Sequence, residues 1–167
     1  MSSSYVDRAE RKAIMLGQEP ERQQEIDEAC EIIANCAAAG IPAVKYNLSL
    51  LGVLRTEPTL GRGGSRDSTW QLADATEGAL TRAGRVSSDV MWERITYFLE
   101  RVVPVAEEYR IRLVCHPHDP DVPARGFLGV ARVLGTVEGL KRFVATQESP
   151  YHGLNLCLGT TAEMLQD

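Results

Sequence analysis

Two short stretches carry residues able to hold a metal ion or activate a substrate. They are Cys115-His116-Pro117-His118-Asp119-Pro120 and Gly153-Leu154-Asn155-Leu156-Cys157-Leu158-Gly159. Each follows or forms a short apolar run that reads as a β-strand. Each therefore delivers a soft or borderline ligand, an imidazole or a thiol, to a strand end. One helix-length segment lies between them, which in an α/β protein makes the two strands parallel neighbours. Neighbouring strands are about 4.8 Å apart, so His116 and Cys157 can reach one ion. Parallel α/β folds keep their chemistry at the carboxyl ends of strands.

Other candidates surround this pair. His118 titrates near neutrality, which suits contact with substrate hydroxyls or proton transfer, against the alternative of an exposed loop histidine. Asp119 stands between two prolines' worth of fixed geometry and shapes the turn, with a bond to His116 as the lesser option. Arg55, Arg62 and Arg66 have the planar fork that matches a carboxylate. Gly61, Gly63 and Gly64 let their loop close as a lid; a mobile surface loop with solvated arginines is the alternative. The GxxxxGK[ST] spacing of a phosphate loop is absent. Asn47 ends an earlier strand and faces the catalytic mouth, suited to a polyol. Trp70 either walls the pocket or anchors the loop. Cys115 precedes His116 and points the opposite way, into the core. His152, before the last strand, is expected at the far end and on the surface.

These residues need elements to position them. Arg22 to Ala39 reads as a helix from Ile26, Ala29, Cys30, Ile33 and Ala37, closed by Gly40. Ile41 to Asn47 reads as a strand with Pro42 near its start. Leu48 to Trp70 is long and irregular, which in a compact domain marks a functional or disordered loop. Asp89 to Tyr109 reads as a helix with one stripe, Met91, Ile95, Phe98, Val102, Val105 and Tyr109. Ser87 or Ser88 caps it, and Pro104 is expected to kink or divide it. Ile111 to Cys115 is a strand. Thr136 caps a helix through Thr146 that turns Val137, Leu140, Phe143 and Val144 inward. Gly153 to Leu158 is the last strand, followed by a helix from Thr160 or Thr161.

The order helix, strand, helix, strand, helix, strand, helix is the pattern of a parallel α/β protein. The 167 residues suffice for one domain over 1–167 with a real core. Three parallel strands leave faces and edges uncovered, whereas a (β/α)8 barrel takes eight strands and about 250 residues. The expectation is thus a partial TIM barrel. The net charge of -5 and the lack of a basic stripe argue against nucleic acid. No apolar run approaches a membrane span, and the first residues lack the apolar core of a secretory signal. The four cysteines show no CxxC spacing and read as reduced thiols of a cytoplasmic protein, with Cys30 and Cys36 on one helix.

The two strand-end motifs are more specific together than apart. Arg112-Leu113-Val114-Cys115-His116-Pro117-His118-Asp119-Pro120 resembles the strand and loop of the mannonate dehydratase family, whose usual form is His-Pro-Asp-Asp-Pro. Gly153-Leu154-Asn155-Leu156-Cys157-Leu158-Gly159-Thr160 resembles its Gly-Leu-x-Phe-Cys strand. Tyr46-Asn47 and Arg55-Thr56 resemble its Tyr-Asn and Arg-Thr pairs. The resemblance implies a barrel of the xylose isomerase-like type and a divalent metal, Mn2+ or Fe2+, on His116 and Cys157. A further His and Asp of the family's ligand set have no counterpart in these residues. It also implies a hydro-lyase that dehydrates D-mannonate to 2-keto-3-deoxy-D-gluconate or acts on a close relative. His118 in place of Asp, and the glycine- and arginine-rich loop, depart from the family where substrate would touch. Two alternatives remain at this point. One is a sugar isomerase or epimerase of the same barrel class. The other is a noncatalytic barrel fragment that needs a partner chain. A homo-oligomer or a completing chain segment is the expected assembly.

Overall fold

The computed structural model describes residues 11–123 and 125–165. Its centre is a three-stranded parallel sheet formed by β1 (Ala43–Tyr46), β4 (Arg112–Cys115) and β5 (His152–Leu154), in the order β1-β4-β5. A two-residue antiparallel ladder, β2 (Thr59–Leu60) with β3 (Arg66–Asp67), forms a separate hairpin. The helices are α1 (Ala13–Leu16), α2 (Glu21–Ala38), α3 (Ser88–Tyr109), α4 (Val137–Ala145) and α5 (Leu158–Glu163). The parallel α/β class and the adjacency of the His116 and Cys157 strands are as the sequence indicates.

Strand alternation sorts the sheet into two faces. Val44, Tyr46, Leu113 and Cys115 point into the helical layer and are buried. There they meet α3, whose wide apolar face (Met91, Trp92, Ile95, Phe98, Leu99, Val102, Val103 and Ala106) is wholly buried. The face is wider than one stripe because α3 packs against α1 and α2 as well as the sheet. The opposite sheet face carries Lys45 and Arg112, both exposed. That polar face leads upward to Asn47 and His116.

Local signals explain most boundaries. Ser87 Oγ accepts from Val90 N at 3.4 Å, and Thr136 Oγ1 accepts from Gly139 N at 3.0 Å, so both expected N-caps form. Gly40, with φ of 72°, ends α2 in the left-handed region where glycine is unstrained. Pro104 lies within an unbroken α3 rather than dividing it. It is exposed, so the carbonyl it leaves without a donor faces water rather than the core.

Other expectations are corrected. β5 covers only His152–Leu154, because the chain turns into α5 at Leu158, with Cys157 as the residue that caps it. Val144 is exposed, since it lies to the side of the Leu140 and Phe143 face. His152 is not a surface residue. Its Nε2 donates to Phe143 O at 3.0 Å, and its ring centroid is 4.7 Å from that of Phe143. The stretch 48–70 is less irregular than its composition indicates. Leu48, Leu50 and Leu51 are buried core residues, and the hairpin follows them. α1, too short for a periodic signal, buries Ala13 to Leu16 against α2 and α3. Among the described residues, no helix is long and apolar enough to cross a membrane.

Candidate functional site

The strand ends bring Asn47, His116 and Cys157 to one end of the sheet. His116 continues β4, and its N–H donates to Tyr46 O at 3.0 Å, while Asn155 N donates to Cys115 O at 2.8 Å. The parallel ladder therefore runs on to His116 before the loops diverge. Val114 pairs with Gly153, so by alternation His116 belongs to the same face as Val114 and Lys45, while Cys157 lies past the end of β5 at the start of α5, within electrostatic reach of Asp119. Cys115 has the opposite parity and is fully buried among the helices, where desolvation pushes its thiol up to about 12.

His116 is set up as a ligand by its backbone. Its Nδ1 lies 2.8 Å from Pro117 O. A carbonyl oxygen only accepts, so Nδ1 carries the proton and Nε2 keeps its lone pair, the usual arrangement of a metal-binding imidazole. Cys157 is set up by the start of α5. Hydrogen bonds from the Thr160 side chain and backbone hold its thiol below the ordinary cysteine range, against a smaller burial effect. A thiolate-prone sulfur is the form a metal requires. The two donors thus fit a divalent transition ion. Among the described residues no group of three or more His, Cys, Asp and Glu side chains converges to complete a ligand set.

His118 is not the exposed loop histidine of the second alternative. It is 3 % exposed, beneath the mouth rather than in solvent. Its Nδ1 accepts from Leu134 N at 3.3 Å, so the proton is on Nε2, which donates to Leu48 O at 2.9 Å. Its own N–H donates to Leu134 O at 3.0 Å. Burial, and then the nearby Arg132 charge, push its pKa down to about 3, leaving the ring neutral. Proton transfer by His118 would require one of these two backbone bonds to be given up. What the ring does in place is tie the loop after β4 to the loop after β1 and to the approach to α4.

A cavity of about 280 Å³ opens beside His116, with Lys45, Asn47, His118, Asp119 and Arg132 in its wall. A second of about 560 Å³ lies over the loop after β4, between Arg55, Trp70, Asp119, Asp121 and Glu163. Arg55 is heavily engaged there. Its Nε donates to Ser68 Oγ at 2.8 Å, its Nη1 donates to Leu54 O at 2.6 Å, and Nη1 is 3.6 Å from Asp119 Oδ1. Trp70 both lines this cavity and packs edge-on against Phe127, with centroids 5.3 Å apart. Burial, with Asp119 nearby, raises the Glu163 carboxyl above its ordinary range. Arg62 and Arg66 lie exposed on the hairpin and line neither cavity.

Sequence reasoning missed Lys45, Arg132 and Glu163 at this end. Lys45 was within reach of it, being two residues before Asn47 and hence on the same strand face. Arg132 and Glu163 lie in a loop and a short helix without a periodic signal, and only the folded chain brings them here.

A parallel α/β layer that carries its imidazole at the carboxyl end of a strand has the form of part of an α/β barrel. The family model for D-mannonate dehydratase (UxuA) matches residues 66–167, and the chain belongs to that family. It is 40% identical over 84 residues to the mannonate dehydratase of Shouchella clausii strain KSM-K16, covering 50% of this chain and 23% of the relative. With the mannonate dehydratase of Streptococcus agalactiae serotype Ia it shares 28% identity over 176 residues, 89% of this chain and 49% of the relative. The crystal structure of mannonate dehydratase from Streptococcus suis serotype 2 superposes with a TM-score of 0.75 at 29% identity. The match covers 90% of this chain and 44% of that one. The chain thus spans about half or less of the length of the relatives it matches.

Proposed function

We propose that this chain supplies part of the active site of a metal-dependent hydro-lyase that dehydrates a sugar acid, D-mannonate or a close relative. The observation that carries the proposal is His116, with Nε2 left free, at the end of β4, and Cys157, with its thiol lowered, in the segment that follows the adjacent parallel strand β5. Family membership makes the sugar acid the natural substrate class. Dehydration removes the proton α to the carboxylate and expels the neighbouring hydroxyl as water, and the resulting enol tautomerises to a 2-keto-3-deoxy acid. A bound Mn2+ or Fe2+ would stabilise the negative charge that develops next to the carboxylate. His116 and Cys157 would hold that ion, and the His116 bond to Pro117 O fixes the ring's tautomer. Asn47 would bind a substrate hydroxyl from the end of β1. Trp70 and the Arg55–Asp119 pair would wall the outer cavity. His118 would act through position, holding the loop that carries His116.

Two protein donors are fewer than the three or four of most catalytic sites, and the sheet face below them carries the exposed Lys45 and Arg112. Both features favour an active unit in which further polypeptide faces this layer. The test is Mn2+ binding by electron paramagnetic resonance, with 2-keto-3-deoxy acid formation from D-mannonate, on the purified protein. The proposal expects stoichiometric Mn2+ that is lost in His116→Ala and in Cys157→Ala, and formation of the keto acid. Mn2+ retained in both variants would overturn the ligand assignment. A stereoisomer of the acid as product would replace dehydration by epimerisation.

A further inference from the structure

Arg132 is the least explained charge in the molecule. It is 7% exposed. Its Nη2 donates to Asp119 O at 2.6 Å, but its Nε and Nη1 are buried without a hydrogen-bond partner. None of the ion pairs among the described residues includes it, and the Asp119 carboxylate is turned to Arg55 instead. Desolvation lowers its pKa to about 10 against the pull of Asp119 and Asp121, so it remains a cation near neutrality. A buried guanidinium with open donors is costly unless something completes it. A turn of the guanidinium toward the cavity would present these donors to a ligand.

The wall Arg132 belongs to has a second cation. Lys45 lies on the polar face of β1. Its Nζ is 3.2 Å from the Asn47 carboxamide oxygen in the amide orientation that also lets the Asn47 nitrogen donate to Tyr46 O. His118, between them, is neutral and has both nitrogens occupied by backbone.

We propose that the cavity beside His116 is an anion subsite in which Arg132 and Lys45 hold the carboxylate of the sugar acid. The inference deepens the dehydratase reading and rests on it for the substrate class. A planar carboxylate matches the guanidinium fork, and an ammonium in the wall of the same cavity supplies a second charge-assisted bond. It places the carboxylate next to His116, where charge must be stabilised during α-proton removal. It also relieves Arg55, Arg62 and Arg66 of that role. Arg55 is engaged by Ser68, Leu54 and Asp119, and the other two lie on the exposed hairpin.

The test is a nuclear magnetic resonance titration of the whole protein in EDTA, with D-mannonate and with the uncharged polyol D-mannitol. D-Mannonate is expected to shift the Arg132 Nε–H resonance, identified by its loss in Arg132→Gln, and D-mannitol is not. Lys45→Met, on an exposed strand face, should weaken acid binding by roughly ten-fold, the worth of one charge-assisted bond. An Arg132 resonance unmoved by D-mannonate, or equal affinity in wild type and Lys45→Met, would overturn the subsite. Should Arg132→Gln fail to fold, Lys45→Met decides alone. Mn2+ binding measured in parallel without EDTA separates the two readings. Mn2+ bound with no acid preference removes the subsite only, and acid preference without Mn2+ removes the metal reading only.

Discussion

Replacing His118 with leucine tests whether this ring is a structural tie beneath the site. The substitution keeps an apolar body of similar bulk and removes both nitrogens. Leu48 O loses its 2.9 Å donor and Leu134 N loses its 3.3 Å acceptor. Both groups lie in a buried region, and the leucine side chain shields them from water. An unsatisfied buried polar group costs about 1–3 kcal/mol, so two give about 2–6 kcal/mol. The longer bond to Leu134 contributes the smaller share, which places the expectation at about 3 kcal/mol. That is a large fraction of the 5–15 kcal/mol typical of a folded domain. His118→Gln is the control. Its amide nitrogen can still donate to Leu48 O, so it should cost about half as much. The assay is urea unfolding of the three proteins at pH 7.5 in EDTA, followed by circular dichroism. A His118→Leu midpoint equal to wild type, or a His118→Gln variant less stable than His118→Leu, would refute the argument that these two bonds hold the loop.

Three further outcomes follow from named contacts. Gly139 sits in the first turn of α4 with no room for a side chain, because a Cβ there would lie 1.7 Å from Val133 O. Gly139→Ala should therefore destabilise the fold by about 1–3 kcal/mol or more, read as a lowered melting temperature. His152 is held neutral chiefly by burial, its Nε2 donates to Phe143 O, and its Nδ1 has no partner. Its folded pKa lies below the unfolded value of 6.5, so the unfolded chain takes up its proton first. The sign is a stability unaffected by His152 above that pH and falling as pH drops below it. His152→Asn should flatten the acid side of the stability profile relative to wild type. Cys157 has a lowered thiol pKa, and Cys115 is buried with its thiol pushed up to about 12. Iodoacetamide at pH 7.5 should thus label Cys157 first and Cys115 only on unfolding, with peptide mass spectrometry as the readout. Labelling of Cys115 in the folded protein at the rate of Cys157 would contradict the placement of both.

The sequence by itself determined the class and the main chemistry-bearing strands. Apolar runs of strand length, separated by helical periodicities, are enough to require a parallel α/β layer, because the connection length fixes strand direction. Alternation then decides that Cys115 and His116 face opposite ways, and the structure has Cys115 buried with the helices and His116 at the cavity. Both N-caps were legible because a cap is a local contact between a side-chain oxygen and a backbone N–H two or three residues on. The tertiary structure alone decided what lies between loops. Whether His118 is exposed or buried depends on Leu48 and Leu134, which are 70 and 16 residues away in the chain. Arg55 meets Asp119, and Arg132 is buried with its Nη2 on Asp119 O, through the same long-range packing. His152 was misjudged for that reason too, since its burial is set by Phe143 of α4. Local sequence encodes backbone preference and the side of an element on which a residue falls. The partner and charge environment of a loop residue are fixed only when distant segments are brought into contact.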